Sequence, residues 1–159
     1  MLALVGYLGS ALSALMVILN LRLVFIPAMR NYFMVGSVEE ETFKYYQNAK
    51  LHRHYDHPVI EAFAGPKVEW IASQLSLKDK SVLDVGGGNG YFSHHLMKIC
   101  SSTHVVDISP EQLKMNPLPK ECRHVGSAYE LDFADNSFHI VLTSNLLHHL
   151  DNPEIAMKE

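Results

Sequence analysis

The sequence predicts an α/β protein: about four parallel strands with flanking helices, preceded by a single transmembrane helix. Two kinds of observation carry this. Short apolar runs end in Gly or Asp and pass directly into helical patterns, first across Ser81–Tyr91 and again from Thr103 to Gln112. Separately, the stretch Met1–Leu21 contains no charged side chain.

At 159 residues the chain has the length of one domain, by the usual prior of roughly 100–200 residues. Arg22 and Arg30 are the only charged residues before Ser37. Of 13 basic residues, 11 therefore remain to face 17 acidic ones in the rest of the chain. That acidic balance argues against nucleic acid as a partner, because phosphate binding needs a basic face. Cys100 and Cys122 are the only cysteines and read as buried free thiols in a reducing compartment.

Three regions follow from the N-terminus. Residues 1–26 read as a signal-anchor helix, residues 27–36 as an interfacial linker, and residues 37–159 as the globular domain. About 20 helical residues span the roughly 30 Å hydrocarbon core, and nothing basic precedes the run as a secretory signal requires. Arg22 and Arg30 follow it, which predicts a single-pass membrane protein with its domain in the cytoplasm. The alternatives are a cleaved signal, or a hairpin dipping into one leaflet with its bend near Pro27.

Ser37-Val38-Glu39-Glu40 has capping-box spacing and predicts a helix to about His52, its aromatics Phe43, Tyr45 and Tyr46 packing rather than covering a ligand. His52, His54 and His57 have no carboxylate or thiolate partner at a recognised spacing. They are read as solvated or capping residues, and no metal is expected. Pro58 and Pro66 are each placed to begin a helical turn. After Pro66, the stripe Val68, Ile71, Ala72 and Leu75 faces the core, with Trp70 at its flank and Leu77–Lys80 as a polar turn.

The first strand, with Val82, Leu83 and Val85, runs into Gly86-Gly87-Gly88-Asn89-Gly90 and then a helix carrying Phe92, Leu96 and Ile99. Glycines admit positive φ and let a ligand approach bare backbone, while the helix start turns unpaired N–H groups toward it. A dinucleotide fingerprint needs a third glycine where Tyr91 stands, and a Walker loop needs a lysine that is absent. What stands here is Asp84-x-Gly86-x-Gly88-x-Gly90. The acid would repel a pyrophosphate and accept from an ammonium group.

This pattern resembles motif I of the class I S-adenosylmethionine-dependent methyltransferases. The resemblance implies a Rossmann-like class I methyltransferase fold with S-adenosyl-L-methionine as cofactor. Later segments extend it. The second strand, Thr103-His104-Val105-Val106-Asp107, ends in an acid about 20 residues after Gly86, the distance at which a carboxylate accepts both ribose hydroxyls. Ser109-Pro110-Glu111-Gln112 then opens a helix with a capping box. A third strand, Arg123-His124-Val125, leads to Gly126-Ser127-Ala128, which resembles the family's Gly-Asp-Ala segment at the adenine with Ser127 in place of the acid. Leu131-Asp132-Phe133-Ala134-Asp135-Asn136-Ser137-Phe138 matches a family loop that has proline at the position of Asp132. His139 stands where an acid is usual, before a fourth strand over Ile140–Ser144. The run Ser144-Asn145-Leu146-Leu147-His148-His149-Leu150 is close to the family's Ser-Asn-x-Leu-His-His-Leu.

The resemblance thus implies cofactor-binding roles for Asp84, Gly86, Gly88, Gly90, Asp107, Ile108, Ser127, Ala128 and Asn145. His148 or His149 faces the acceptor as base or orienter, and one of the two packs or caps. The family fold has seven strands and four are placed here, so the chain looks like its cofactor-binding half. The expected activity is methyl transfer to a small or lipid-like acceptor at a membrane surface. The alternative is a non-catalytic cofactor-binding or scaffold protein. A nicotinamide-dependent oxidoreductase is disfavoured by Tyr91 and Asp84.

Overall fold

The structure, a computed structural model, describes residues 38–48 and 52–159. The expected membrane span, the linker and the Ser37 cap lie outside the described residues. Among the described residues no helix is long and apolar enough to cross a membrane.

The elements are α1 (Val38–Tyr46), α2 (Pro58–Leu75), β1 (Ser81–Val85), α3 (Ser93–Leu96), β2 (Ser102–Asp107), α4 (Pro110–Met115), β3 (Arg123–Val125), β4 (Ile140–Thr143) and α5 (Pro153–Ala156). The four strands form one parallel sheet in the order β3-β2-β1-β4. β1 is an inner strand and is buried on both faces after Ser81, with Val82 and Asp84 on one side and Leu83 and Val85 on the other. Its Val82 joins Val68, Ile71, Leu77, Phe92, Leu96, Ile140 and Leu142 under α2 and α3. Leu83 and Val85 point the other way and meet Val106, Phe133 and Phe138.

Four predictions differ. The first helix stops at Tyr46 rather than near His52, because the Tyr46 carbonyl accepts from Gln112 Nε2 at 2.8 Å and Ser109 Oγ at 3.3 Å. Pro66 does not open a new turn: it lies inside α2, an 18-residue helix. It removes the bond to the Ala62 carbonyl, and the adjoining Gly65 lies against the His95 imidazole, where a Cβ would sit 3.3 Å from its Cε1. The helix after the glycine loop has only one α-helical turn, Ser93–Leu96, though Leu96 and Phe92 are buried as expected. Leu77, taken as part of a polar turn, is a core residue that closes the space below α2.

Other expectations are met. Trp70 is half exposed at the flank of α2. His57 caps α2, its Nδ1 accepting from Val59 N at 3.2 Å. His139 anchors β4 to β1, its Nδ1 accepting from Ser81 N at 3.2 Å while its own N–H donates to Ser81 O at 3.1 Å. Cys100 and Cys122, expected to be buried, are free thiols that are only partly buried.

Candidate cofactor-binding cleft

Parallel pairing brings the carboxyl ends of β1, β2 and β4 to one edge, with Val85 beside Val106 and Thr143. Open α/β sheets bind ligands at that edge. The glycine loop leaves β1 there, and Gly86 N donates to Val106 O at 2.8 Å. The amide of Gly88 donates to Asp107 Oδ2 at 2.9 Å, and Ser109 N donates to Asp107 Oδ1 at 2.8 Å. The Asp107 carboxylate is therefore fixed from both sides at the end of β2, and each oxygen keeps a lone pair for a further donor. Burial raises its pKa, while the two backbone bonds pull it back.

Gly88 has φ +47, and a Cβ built on it meets nothing closer than Asp107 Oδ2 at 3.5 Å. Its missing side chain leaves space that opens on the cleft. Gly86 differs. There a Cβ would lie 2.8 Å from Leu146 Cδ1, so its smallness serves the protein's own packing before it serves a ligand. Gly90 packs on Pro117 and Asn116 and is not among the residues that line the cleft.

Asp84 lies beneath the loop and is fully buried. Its Oδ2 accepts from Ser93 Oγ at 2.7 Å, while Oδ1 is buried without a hydrogen-bond partner. Burial pushes its pKa up to about 7; the Ser93 hydroxyl opposes this and the nearby Asp107 charge adds to it. A cation reaching Oδ1 would satisfy the orphaned atom and restore the charged form.

The cavity above these groups has a volume of about 150 Å³ and is lined by Thr42, Tyr46, His52, Asp84, Gly86, Gly88, Asp107, Ile108, Asn145 and His149, among others. An adjoining hollow of about 60 Å³ takes in Ile108, Ser127, Ala128, Val85 and Leu146. Ser127 Oγ accepts from Tyr129 N at 3.2 Å, which fixes the hydroxyl at the mouth of β3. Asn145 has φ +58, an unusual value for a residue with a side chain. A roomier groove of about 360 Å³ lies beside Phe133, Phe138 and Val141, contains none of the loop glycines, and is not the site.

The two adjacent histidines separate. His149 lines the cleft, with Nδ1 3.3 Å from Thr42 Oγ1 and Nε2 3.5 Å from Tyr46 Oη. Burial, then the neighbouring His148, pushes its pKa down to about 4. It is neutral at pH 7, a weak base suited to orienting a neighbour. The His148 ring lies 3.9 Å from that of His149 and does not line the cleft.

The structure thus gathers Asp84, Gly86, Gly88, Asp107, Ile108, Ser127, Ala128, Asn145 and His149 around two joined hollows. It adds Thr42, Phe43, Tyr46 and His52, which the sequence reading gave to packing, solvent or no role. The spacing of Thr42 and Tyr46, four apart on α1, was the available signal that one face of that helix has a common neighbour.

A glycine loop after a central parallel strand, an acid held at the end of the next strand and a cleft between them are the arrangement of the class I S-adenosylmethionine-dependent methyltransferase fold. Residues 83–159 match a family model described as a methyltransferase domain. An uncharacterized methyltransferase of Mycobacteroides abscessus is 31% identical over 91 residues, covering 52% of this chain and 34% of that protein. One from Schizosaccharomyces pombe is 34% identical over 97 residues, covering 52% of this chain and 35% of the relative. The chain spans about a third of the length of these curated relatives. Among solved structures, magnesium protoporphyrin IX methyltransferase from Synechocystis PCC 6803 with bound SAM aligns with a TM-score of 0.58 at 16% identity, over 78% of this chain and 70% of that one. A SAM-dependent methyltransferase from Aquifex aeolicus gives 0.54 at 23% identity, over 65% and 60%. At these identities the solved structures establish the fold.

Proposed function

We propose that this chain carries out S-adenosylmethionine-dependent methyl transfer to a small or lipid-like acceptor at a membrane surface. The observation that carries the reading is the pairing of the open Gly88 position with the Asp107 carboxylate that its own amide holds. A backbone that needs the absence of a side chain sits beside an acceptor suited to vicinal hydroxyls. Asp84 with its orphaned oxygen fits an ammonium group, and Ile108, Ser127 and Ala128 fit an adenine.

When bound, the cofactor supplies an electrophilic methyl group on a sulfonium, open to in-line displacement by a lone pair of the acceptor. The protein's part in such a reaction is alignment and exclusion of water. Tyr46 and Phe43 of α1 border the cleft beside Asn145 and His149. A neutral His149 orients the acceptor more readily than it deprotonates it.

The membrane part of the proposal rests on the uncharged run Met1–Leu21 and on Arg22 and Arg30 after it, which favour a single-pass anchor with the domain facing the cytoplasm. Radiolabelled methyl transfer into a lipid extract, beside a water-soluble metabolite extract, tests the acceptor class. Cofactor binding with no transfer into either would favour the non-catalytic scaffold. Carbonate extraction tests the anchor: the full chain should stay in the pellet, and a chain starting near Ser37 should leave it. Retention of the shorter chain would overturn the anchor, and protection of the full chain's domain from cytosolic protease would overturn the orientation.

A further inference from the structure

We propose that His52 is a recognition residue for the carboxylate of the cofactor's amino-acid end, forming with Asp84 a two-ended clamp for a zwitterion. The inference rests on the cofactor reading above and assigns a residue that neither the glycine loop nor the strand-end acids supply.

Two residues that line this cleft each carry a buried side-chain atom without a hydrogen-bond partner among the described residues: Asp84 at Oδ1 and His52 at Nε2. A buried polar atom left unpaired is costly, so two in one cavity point to a ligand that pairs with both. Their chemistry is complementary. A carboxylate oxygen only accepts, whereas an imidazole nitrogen can present a proton to an anion. An amino-acid group offers an ammonium to the first and a carboxylate to the second.

The glycine loop does not meet the anion's need with the amides whose partners are known. Gly86 N is taken by Val106 O, Gly88 N by Asp107 Oδ2, and Gly90 N by Gly87 O. With Asp84 and Asp107 both on this side of the sheet, the cleft also needs a donor to offset an incoming negative charge.

His52 is held for the task. Its ring stacks on Tyr46 at 4.9 Å and 14°, and Tyr45 meets it edge-on at 5.1 Å. The next residue ties the segment to the loop: the Arg53 carbonyl accepts from Asn89 Nδ2 at 2.8 Å and from Tyr91 Oη at 3.3 Å. The imidazole therefore keeps a fixed position relative to the glycines.

The test is calorimetry on the full chain with S-adenosylmethionine and with its decarboxylated analogue, which keeps the ammonium and lacks the carboxylate. Wild type should prefer the intact ligand by tenfold or more. His52→Phe, which keeps an aromatic ring between the tyrosines, should lose that preference by weakening only the intact ligand. His52→Gln retains an amide donor and should keep part of it. Equal affinity of wild type for the two ligands would overturn the proposal without any mutant. Equal weakening of both ligands in His52→Phe would also overturn it, by making the residue structural. Failure of wild type to bind either ligand would overturn the cofactor reading and this inference with it.

Discussion

Asp84 gives the protein a pH dependence that can be worked from its surroundings. Its pKa in the folded protein is about 7, raised chiefly by burial. In the unfolded chain an aspartate titrates near 3.9. A raised acid binds a proton in the folded state that the unfolded state has already lost, so stability falls as pH rises from about 4 to about 7. At roughly 1.4 kcal/mol per pKa unit, Asp84 alone contributes a loss of up to about 4 kcal/mol across that window, and His149, whose pKa is lowered to about 4, opposes it as pH rises from about 4 to about 6.5. Cofactor binding runs the opposite way. An ammonium at Oδ1 favours the carboxylate, so binding below pH 7 releases a proton and affinity rises with pH until about 7, then levels. The dissociation constant at pH 6 should be about tenfold weaker than at pH 8, since roughly one proton is displaced per ligand. Asp84→Asn should melt with less pH dependence between pH 5 and 8. It should bind more weakly at pH 8 by about 1.5–3 kcal/mol, the range for losing a hydrogen bond to a charged group, and lose the slope. Titration calorimetry and thermal melting at three pH values give both readouts. An identical pH slope in wild type and Asp84→Asn would show that the titrating group lies elsewhere.

Gly88→Val should abolish binding of S-adenosylmethionine and S-adenosylhomocysteine alike, because the space above Gly88 is bounded by no protein atom closer than 3.5 Å. The left-handed backbone there adds a stability cost of about 1–2 kcal/mol, visible in the melt. Gly86→Val should instead unfold the loop region first, since its Cβ meets Leu146; a normal melt with lost binding would reverse that assignment. Asp107→Ala should weaken the cofactor by about 1.5–3 kcal/mol and also lower the melting temperature, because Gly88 N and Ser109 N lose their acceptor. Full affinity in a folded Asp107→Ala protein would place the ribose elsewhere.

The parts of this protein that were legible in the sequence are those set by local chemistry. The apolar runs at β1 and β2 became inner strands because a parallel strand covered on both faces has little freedom in composition, whereas β3, Arg123-His124-Val125, pairs at the sheet's edge and stays partly exposed. Ser109 capped α4 as a short polar residue before proline does, and His57 capped α2 through its ring Nδ1. The glycine loop announced itself through residues that few other structures require. What was not legible depends on contacts distant in sequence. Tyr46 ends α1 because Gln112, far along the chain, takes its carbonyl. The orphaned atom of His52 exists only once that residue is stacked on Tyr46. Spacing could not tell Gly86 from Gly88 either, since the difference is Leu146, which arrives from the end of β4.

The central claim is that the cleft over Gly88 and Asp107 holds an adenosyl amino acid. Calorimetric titration of the purified full chain with S-adenosylhomocysteine, beside NADH at the same concentrations, tests it most directly. S-adenosylhomocysteine should show saturable one-to-one binding that Gly88→Val removes, and NADH should give no heat of binding. Binding of NADH in preference, or S-adenosylhomocysteine binding that survives Gly88→Val in a folded protein, would contradict it.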